Sequence, residues 1–253
     1  MHTDERQHAI VERLRADGRL DVRKLAADLA VSPETIRRDL RVLEHHGLVR
    51  RVHGGAYPVE SPGFETSLAA RTTHHIPAKR RIAAAAADLI GDAETVFVDE
   101  GVTPQLVAGA LPTSRPLTVV TAALPTAAQL AALPSMTVIL LGGRVRGRTL
   151  ATVDHWVTAM LAGFVIDLAF IGANGISREH GLTTPDPAVA SVKAQAVEVS
   201  RRRVFCGIHT KFGASSFCKF ADVRDFEVII TDVGLPANEA RRYTNTGPQV
   251  IRV

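Results

Sequence analysis

The segment Val31-Ser32-Pro33-Glu34-Thr35-Ile36-Arg37-Arg38-Asp39-Leu40 contains both the start of a helix and its buried face. Ser32 is a preferred N-cap residue, and Pro33 fits the first helical position because its φ is already helical and no N–H is needed there. Gly47 predicts that the helix ends near His45. The predicted buried face comprises Ile36, Leu40 and Leu43.

Two shorter helical patterns precede this segment. The first covers residues 5–15, ends at Gly18 and has an apolar face of Ile10, Val11 and Leu14. The second begins after Asp21, which occupies an N-cap position. Its apolar face comprises Val22, Leu25, Ala26 and Leu29. A short turn then leads to the third helix, so the three patterns together predict a helix-turn-helix.

The outer face of the third helix is basic, with Thr35, Arg37, Arg38 and Arg41 at positions open to solvent or to a partner. In a helix-turn-helix, the second helix of the motif enters the major groove of duplex DNA. An arginine there can bond guanine O6 and N7 together or hold a phosphate. The alternative interpretation is a solvated helix face, with Asp39 pairing locally.

The residues after this helix favour the DNA-binding interpretation. Residues 48–57 alternate apolar and basic side chains and then break at Gly54-Gly55, which predicts a small β-hairpin, the wing. Between Arg37 and His53 there are five arginines and two acids. Basic charge is therefore concentrated on the third helix and the wing, where the phosphates of a duplex would lie.

Composition excludes several classes of protein. A chain of 253 residues with 46% hydrophobic residues can bury a large core, which excludes disorder throughout. The two cysteines make neither a disulfide framework nor a zinc motif, and His74-His75 is a weak indication of a metal site, so no cofactor or metal is expected. No signal peptide or membrane span is recognised, and we expect a soluble, cytoplasmic protein with no membrane partner.

From about residue 78 onward, strand-length and helix-length patterns alternate. Apolar runs predict strands at 95–99, 117–121, 136–142, 168–172, 204–208 and 227–231, with helices at 78–90, 103–111, 125–133 and 187–202. This alternation is typical of an α/β fold with a mainly parallel sheet. We therefore predict an N-terminal winged helix-turn-helix (1–57), a linker (58–77) and a mainly parallel α/β domain (78–253).

Polar residues or glycines follow each predicted strand. Because ligands of open α/β sheets bind beyond the carboxyl ends of the strands, we expect a small-molecule pocket at this rim. Asp99 is expected to bind a ligand or to stabilise a turn, and Lys211 is a stronger anion-binding candidate than Lys193, which could be solvated. Gly142-Gly143 could admit a ligand to the backbone or could only make a tight turn. Trp156 is expected in the core or at a subunit contact.

Three N-terminal motifs occur in order and nearly without gaps: residues 20–26, residues 31–40 and Arg51-Val52-His53-Gly54-Gly55-Ala56. Together they resemble the DNA-binding signature of the DeoR family of bacterial regulators. The resemblance implies that Thr35, Arg37 and Arg38 contact the operator, that the tip of the wing approaches the DNA backbone, and that Asp39 is a structural residue that orients an arginine. The candidate DNA-binding residues are Ser32, Thr35, Arg37, Arg38, Arg41, Arg51, His53 and Gly54.

The motifs at residues 99–103, 142–146, 167–176, 181–184 and 211–213 resemble the sensor domain of the same family. That domain is similar in fold to ribose-phosphate isomerases and CoA transferases. The resemblance implies an effector-binding site, because family members typically sense phosphorylated sugars or related metabolites that relieve DNA binding. The candidate effector-binding residues are Asp99, Glu100, Gly101, Thr103, Thr121, Gly142, Gly143, Arg146, Asn174, Lys193 and Lys211.

Several positions depart from the family pattern. They are Glu100 and Val102 in place of serine and threonine, Ala122-Ala123 in place of Asn-Ser, Asp154 in place of glycine, and Val189 and Ile208 in place of acids. Glu100 would repel a phosphate dianion unless Lys193, Lys211 or Arg146 neutralises it. Three interpretations remain open: a less anionic effector, a sugar-phosphate site rebuilt with other donors, or a sensor that has lost its ligand.

We therefore predict a DNA-binding repressor of a metabolic operon that a small-molecule effector releases. It would act on double-stranded operator DNA as a homodimer or higher homo-oligomer. An isomerase-like enzyme fused to a DNA-binding module is the alternative, because Asp99, Glu100 and Lys193 could supply acid and base groups. The sequence offers no recognised nucleophile arrangement, metal cluster or nucleotide loop, which favours sensing over catalysis.

Overall fold

A computed structural model describes residues 3–17, 19–45, 49–52, 54–58, 68–72 and 74–253. The chain divides into two compact units, Met1–His74 and His75–Val253. Gly47 and His53 lie outside the described residues, so the helix end at Gly47 and the role of His53 stay predictions. Among the described residues, no helix combines the length and hydrophobicity that a membrane crossing requires.

The first unit combines helices with a small antiparallel sheet. Its elements are α1 (Thr3–Asp17), β1 (Leu20–Asp21), α2 (Val22–Asp28), α3 (Pro33–His45), β2 (Val49–Val52), β3 (Gly55–Pro58) and α4 (Leu68–Arg71). The strands pair in the order β1-β3-β2. The core contains the predicted apolar faces: Ile10 and Leu14 of α1, Leu25 of α2, and Ile36, Leu40 and Leu43 of α3. The winged helix-turn-helix predicted from the sequence is confirmed.

The second unit alternates strands and helices. Its elements are α5 (Ile76–Ala87), β4 (Thr95–Val98), α6 (Val102–Ala110), β5 (Leu117–Thr121), α7 (Leu124–Leu130), β6 (Met136–Leu140), β7 (Arg144–Arg146), β8 (Ala151–Val153), α8 (His155–Leu161), β9 (Ile166–Ile171), β10 (Gly175–Ser177), β11 (Gly181–Thr184), α9 (Pro187–Glu198), β12 (Ser200–Cys206), β13 (Cys218–Ala221), β14 (Val228–Thr231), α10 (Ala237–Thr244) and β15 (Gln249–Arg252). A hairpin of β7 and β8 and a three-stranded sheet, β10-β11-β13, accompany the main sheet.

The main sheet of this fully described unit is parallel, in the order β15-β14-β12-β9-β4-β5-β6. Successive side chains of a strand point to opposite faces. In β4, Val96 and Val98 join the core shared with α5, α6 and α7, whereas Phe97 joins the core shared with α8, α9 and α10. Helices thus cover both faces, and the mainly parallel α/β fold class is confirmed.

All six predicted strands belong to this sheet, but some boundaries and elements were not predicted. The predicted helix 187–202 is too long, because α9 ends at Glu198 and β12 begins at Ser200. Arg201 and Arg202 lie in the strand, where they pair with Asp167 of β9 and with Glu227, the residue before β14. The elements that the sequence did not predict are the edge strand β15, the β7–β8 hairpin, the small sheet and helices α8 and α10.

Candidate functional sites

Local hydrogen bonds fix the two helices of the helix-turn-helix. Asp21 caps α2, because its Oδ1 accepts from the N–H groups of Arg23 (2.8 Å) and Lys24 (3.0 Å). Ser32 caps α3 in the same way, with its Oγ accepting from Thr35 N–H at 3.1 Å. The Ser32 and Thr35 hydroxyls also lie 2.9 Å apart. These caps satisfy N–H groups that have no partner within their own helix. The cap of α3 also places the candidate DNA-binding residues Ser32 and Thr35 at the start of that helix.

Asp39 lies on the buried side of α3 and holds α1 against it. Its carboxylate accepts from Arg6 Nε (2.5 Å) and Nη2 (3.2 Å), and from Gln7 Nε2 (3.2 Å). Only 4% of the Asp39 side chain and 11% of the Arg6 side chain are exposed. The predicted structural role of Asp39 is therefore confirmed, and the arginine that it orients belongs to α1, which the sequence did not indicate.

The exposed side of α3 carries an acid between its arginines. Glu34 Oε2 accepts from Arg37 Nη1 at 3.0 Å, and Glu34 Oε1 accepts from Arg41 Nη2 at 2.6 Å. All three side chains are more than half exposed. The hydrogen bond from Arg37 is the main reason that the pKa of Glu34 lies below its ordinary value. Arg38 is also exposed and makes no hydrogen bond or ion pair with the described residues.

The wing joins α3 through Arg51. Arg51 donates its backbone N–H to Glu44 Oε1 (2.9 Å) and its Nε to Glu44 Oε2 (2.6 Å). At the first residue of β3, a side chain on Gly55 would place its Cβ 2.2 Å from the Leu20 carbonyl oxygen, so only glycine lets β3 approach β1. Gly54 lies exposed at the tip. The described part of the wing therefore has Arg51 bonded to α3 and an exposed Gly54, whose carbonyl oxygen accepts from Val22 N–H at 2.9 Å at the start of α2.

A buried charged cluster lies at the carboxyl ends of β4 and β9. Lys193, from α9, donates to Asp99 Oδ2 and to the Gly172 carbonyl oxygen (3.2 Å). Asp99 also accepts from the N–H groups of Glu100 (2.8 Å) and Gly172 (2.9 Å). Glu100 Oε1 lies 3.7 Å from Lys193 Nζ. Three of the predicted effector-binding residues thus lie in one cluster, with Asp99 stabilising the strand ends.

Two carboxylates share one ammonium group in this cluster. Burial raises the pKa of Asp99, and the ammonium of Lys193 opposes that effect. Lys193 itself is almost fully buried, which argues against a solvated lysine at this position. Because its charge is engaged by both acids, Lys193 adds no net positive charge for a phosphate.

Arg146 is engaged by an acid as well. Its Nη2 lies 3.0 Å from Oδ2 of Asp186, the residue that caps α9. Asn174 Oδ1 accepts from the Thr184 hydroxyl at 3.1 Å, and Thr184 is the last residue of β11. Lys211 lies in a short 3₁₀ turn, His209–Lys211, which begins three residues after the end of β12. Arg146 thus lies at the end of β7, Asn174 follows β9, and Lys211 follows β12.

Other candidate residues have structural partners. The buried Thr121 hydroxyl donates to the Val98 carbonyl oxygen (2.7 Å) and accepts from Ala123 N–H (3.1 Å), which ties β5 to β4 and starts α7. Gly143 has φ +152°, and a Cβ there would lie 2.6 Å from the Val153 carbonyl oxygen, so the tight β7–β8 hairpin alone requires glycine.

Two further candidate residues lie at the start of α6. Gly101 precedes the helix, and Thr103 is buried in its first turn.

Gly142 and Gly143 also line a pocket of about 610 Å³ beside the edge strand β6. The other lining residues are Arg144, Asp154, His155, Trp156 and Met160. Arg144 Nε donates to Asp154 Oδ2 at 2.7 Å. Trp156 is 70% exposed, so it does not belong to the core. Neither Asp99 nor Lys193 lines this pocket, so it is separate from the charged cluster of the same unit.

Sequence reasoning missed an imidazole–carboxylate pair at the strand ends. His209 Nδ1 lies 2.6 Å from Asp232 Oδ2, and Asp232 Oδ1 accepts from His209 N–H at 2.7 Å. Hydrogen bonds from His209, both backbone and side chain, hold the pKa of Asp232 below its ordinary value against the effect of burial. The ring of His75, at the start of α5, packs edge-on against His209 with centroids 5.8 Å apart. No spacing pattern in the sequence indicates the group of His75, His209 and Asp232, because the three residues come from separate elements.

Comparison with known proteins accounts for both units. Residues 6–61 match the DeoR-like helix-turn-helix domain, and residues 74–233 match the DeoR C-terminal sensor domain. The chain is 36% identical to the HTH-type transcriptional regulator GlpR of Haloferax volcanii, covering 98% of this chain and 96% of the relative. It is 30% identical to the glycerol-3-phosphate regulon repressor of Escherichia coli K12, covering 97% of each.

A third relative is the putative aga operon transcriptional repressor of Escherichia coli O157:H7. The identity is 30%, over 99% of this chain and 94% of the relative. Both family matches and these nearly full-length relatives agree with the resemblance found in the sequence, and they do not favour the enzyme alternative. The chain belongs to the DeoR family of DNA-binding transcriptional regulators.

Proposed function

We propose that this regulator is a repressor that binds an operator duplex with α3 and the wing. The observation that carries the proposal is the exposed basic face of α3, where Arg37, Arg38 and Arg41 stand opposite a fully buried apolar face. Such a helix can enter the major groove without loss of its core contacts. The two Escherichia coli relatives are named as repressors, which supports the direction of control.

The double variant Arg37→Ala/Arg38→Ala tests this assignment. We expect it to bind a duplex enriched by the wild-type chain about 10-fold or more weakly, because two groove or phosphate contacts are lost. Fluorescence anisotropy across a salt series measures the affinity, and the slope of log K against log salt should become shallower. Far-UV circular dichroism checks that both units remain folded.

The matched control is Arg241→Ala/Arg242→Ala, which removes an adjacent pair of exposed arginines from a helix of the sensor unit, α10. It lowers the net charge by the same amount. Equal losses of DNA affinity in the two double variants would show that only the total charge of the chain matters. An unchanged DNA affinity of Arg37→Ala/Arg38→Ala would contradict the proposed interface.

We propose that the effector is a small sugar or polyol, phosphorylated or not, which binds at the strand ends near Glu100, Gly101, Thr103, Asn174 and Lys211. Lys193 and Arg146 are both engaged by carboxylates, which supports an effector with less negative charge than a free phosphate dianion. Thr121 and Gly143 take structural roles in this proposal. The name of the Escherichia coli K12 relative makes glycerol 3-phosphate one of the compounds to examine.

The variant Glu100→Ser tests whether Glu100 determines the preference between phosphorylated and unphosphorylated effectors. Removing the carboxylate leaves one acid, Asp99, facing Lys193, so we expect phosphorylated sugars to bind about 10-fold more tightly while unphosphorylated sugars change little. Isothermal titration calorimetry with glycerol, glycerol 3-phosphate and a panel of hexose phosphates measures both classes. A variant that binds phosphorylated compounds no better than wild type would remove repulsion by Glu100 as the explanation.

We propose sensing rather than catalysis at these strand ends. Incubation of the chain with the same panel distinguishes the two functions. Release of a bound operator by one compound, without sustained product formation, supports a sensor. Sustained turnover of a compound would instead support the isomerase-like alternative.

We also propose that the chain acts as a homodimer or a higher homo-oligomer. The exposed Trp156 and the partly exposed Met160, beside edge strand β6, provide apolar surface that a second copy could bury. Light scattering of the wild-type chain and of Trp156→Ala tests this. A monomeric wild-type chain at micromolar concentration would contradict the proposal.

A further inference from the structure

Glu34 has an unusual position for an acid on a surface expected to face DNA. It lies in the first turn of α3, the part of a recognition helix whose side chains contact base edges. Its carboxylate holds Arg37 and Arg41 at the same time, so one acid engages two of the three exposed arginines of that face. In the absence of DNA, the basic face therefore presents less free positive charge than its arginine count suggests.

The alternative acids on α3 have other roles. Asp39 is buried and bonded to Arg6 and Gln7, and Glu44 holds Arg51 of the wing. Of the three acids on α3, Glu34 has a side chain that is 64% exposed, against 4% for Asp39 and 36% for Glu44. Glu34 is therefore the acid of this helix that a duplex would meet first.

The two ion pairs of Glu34 can be exchanged at little cost. Exposed pairs of this kind shift an equilibrium by about fivefold at most, whereas a bidentate contact of arginine with guanine discriminates by about 5-fold to 150-fold. DNA can therefore draw Arg37 and Arg41 away from Glu34. The carboxylate then faces the groove among phosphates without its cations, and that state is acceptable only where a base donates a hydrogen bond to it.

We infer that Glu34 is a specificity-determining residue of the DNA interface, which restrains Arg37 and Arg41 in the free chain and accepts a hydrogen bond from a cytosine amino group in the operator. In the major groove, the N4 amino group of cytosine is the donor that a glutamate accepts from. Non-specific duplexes leave the carboxylate without this donor and are disfavoured. The inference rests on the proposed function, since it assigns one residue of that interface.

Selection from a random duplex library, with the full-length chain and its Glu34 variants, tests the inference. The wild-type chain should enrich half-sites that have a C·G pair at one fixed position. Glu34→Ala should discriminate against other base pairs at that position about 10-fold less strongly. Glu34→Gln should accept an A·T pair at that same position, because glutamine can bond adenine N6 and N7. Both variants should bind an unrelated duplex about 3-fold to 10-fold more tightly at low salt, because Arg37 and Arg41 are released.

Asp28→Asn provides the matched control. Asp28 is a similarly exposed acid of the same unit, paired with Arg13 at 2.8 Å, and its replacement removes the same charge. It should leave the selected sequence unchanged and should raise non-specific affinity less than Glu34→Ala does. Far-UV circular dichroism confirms that α3 is folded in each variant.

The outcomes separate the inference from the proposed function. Unchanged selection by both Glu34 variants would overturn the inference while leaving a sequence-specific DNA-binding protein. The same would follow if Asp28→Asn altered the selection as much as Glu34→Ala. A wild-type chain that enriches no sequence would refute the proposed function, and the inference with it.

Discussion

Asp39 is a residue whose substitution should loosen α3 without touching its exposed face. Asp39→Asn would leave Arg6 nearly buried against a neutral amide, and losing one partner of such an ion pair is costly. Because 11% of the Arg6 side chain is exposed and its charge stays partly hydrated, we expect the first unit to lose about 2 kcal/mol of stability, as for hydrogen bonds to charged groups. Hydrogen exchange of α1 and α3 amides, followed by mass spectrometry, should then accelerate by about 30-fold.

The exposed pair of Arg13 and Asp28 supplies the comparison for this variant. Exposed pairs contribute less than about 1 kcal/mol, so Asp28→Asn should change exchange in the same peptides by no more than about fivefold. Equal acceleration in the two variants would contradict the structural role given to Asp39.

The sequence predicts the structural role of a single residue when its hydrogen-bond partner is close along the chain. Ser32 and Asp21 were predicted as caps because a cap bonds N–H groups two or three residues later. The partner of Asp39 is 33 residues away, and that of His209 is 23 residues away. Such pairs depend on how elements pack, so the sequence indicated a structural Asp39 only through family resemblance and gave no indication of the His209 pair.

At the scale of elements, the carboxylate of Asp167 connects the start of β9 to the start of β4. Asp167 Oδ2 accepts from Glu94 N–H (3.1 Å), Thr95 N–H (3.0 Å) and the Thr95 hydroxyl (2.8 Å). The hydroxyl bond is the largest cause that lowers the pKa of Asp167. Ionised Asp167 therefore stabilises the folded state above its unfolded pKa of about 3.9, and this contribution is lost as pH falls through the lower folded pKa.

Asp167→Asn should accordingly lower the melting temperature at pH 7 by about 3 °C, for about 1 kcal/mol. The variant does not titrate, so the gap between it and the wild type should narrow below about pH 4. Thermal unfolding followed by circular dichroism from pH 7 to pH 3 measures the gap, with exposed Asp92→Asn as the control. A gap that stays constant over this range would contradict the assignment.

Helices and strands are predicted correctly where their residues are apolar and buried. They are predicted poorly where contacts with distant residues determine which element forms. The six predicted strands are apolar runs with cores on both sides, so their composition alone distinguishes them. The boundary between α9 and β12 was misplaced because Arg201 and Arg202 suit either element until Asp167 and Glu227 are placed beside them. Edge strand β15 is short and polar at its start, so its sequence lacks the same pattern.

For the whole molecule, the division into two units determines what regulation requires. Each unit has its own hydrophobic core, so binding at one unit does not by itself rearrange the core of the other. Effector-controlled repression then requires a coupling free energy between the sites. Such couplings are typically about 1–3 kcal/mol, or about 5-fold to 150-fold in affinity.

Coupling of this kind is reciprocal, which yields a prediction for the intact chain. If an effector weakens operator binding by some factor, saturating operator duplex must weaken effector binding by that factor. Calorimetric titration of the effector, with and without the duplex, measures this directly. Arg37→Ala/Arg38→Ala is the control, because this variant binds the duplex more weakly, so a duplex concentration that just saturates the wild type should change its effector affinity much less. An effector affinity that saturating operator leaves unchanged would mean that the sensor unit does not control DNA binding in this chain.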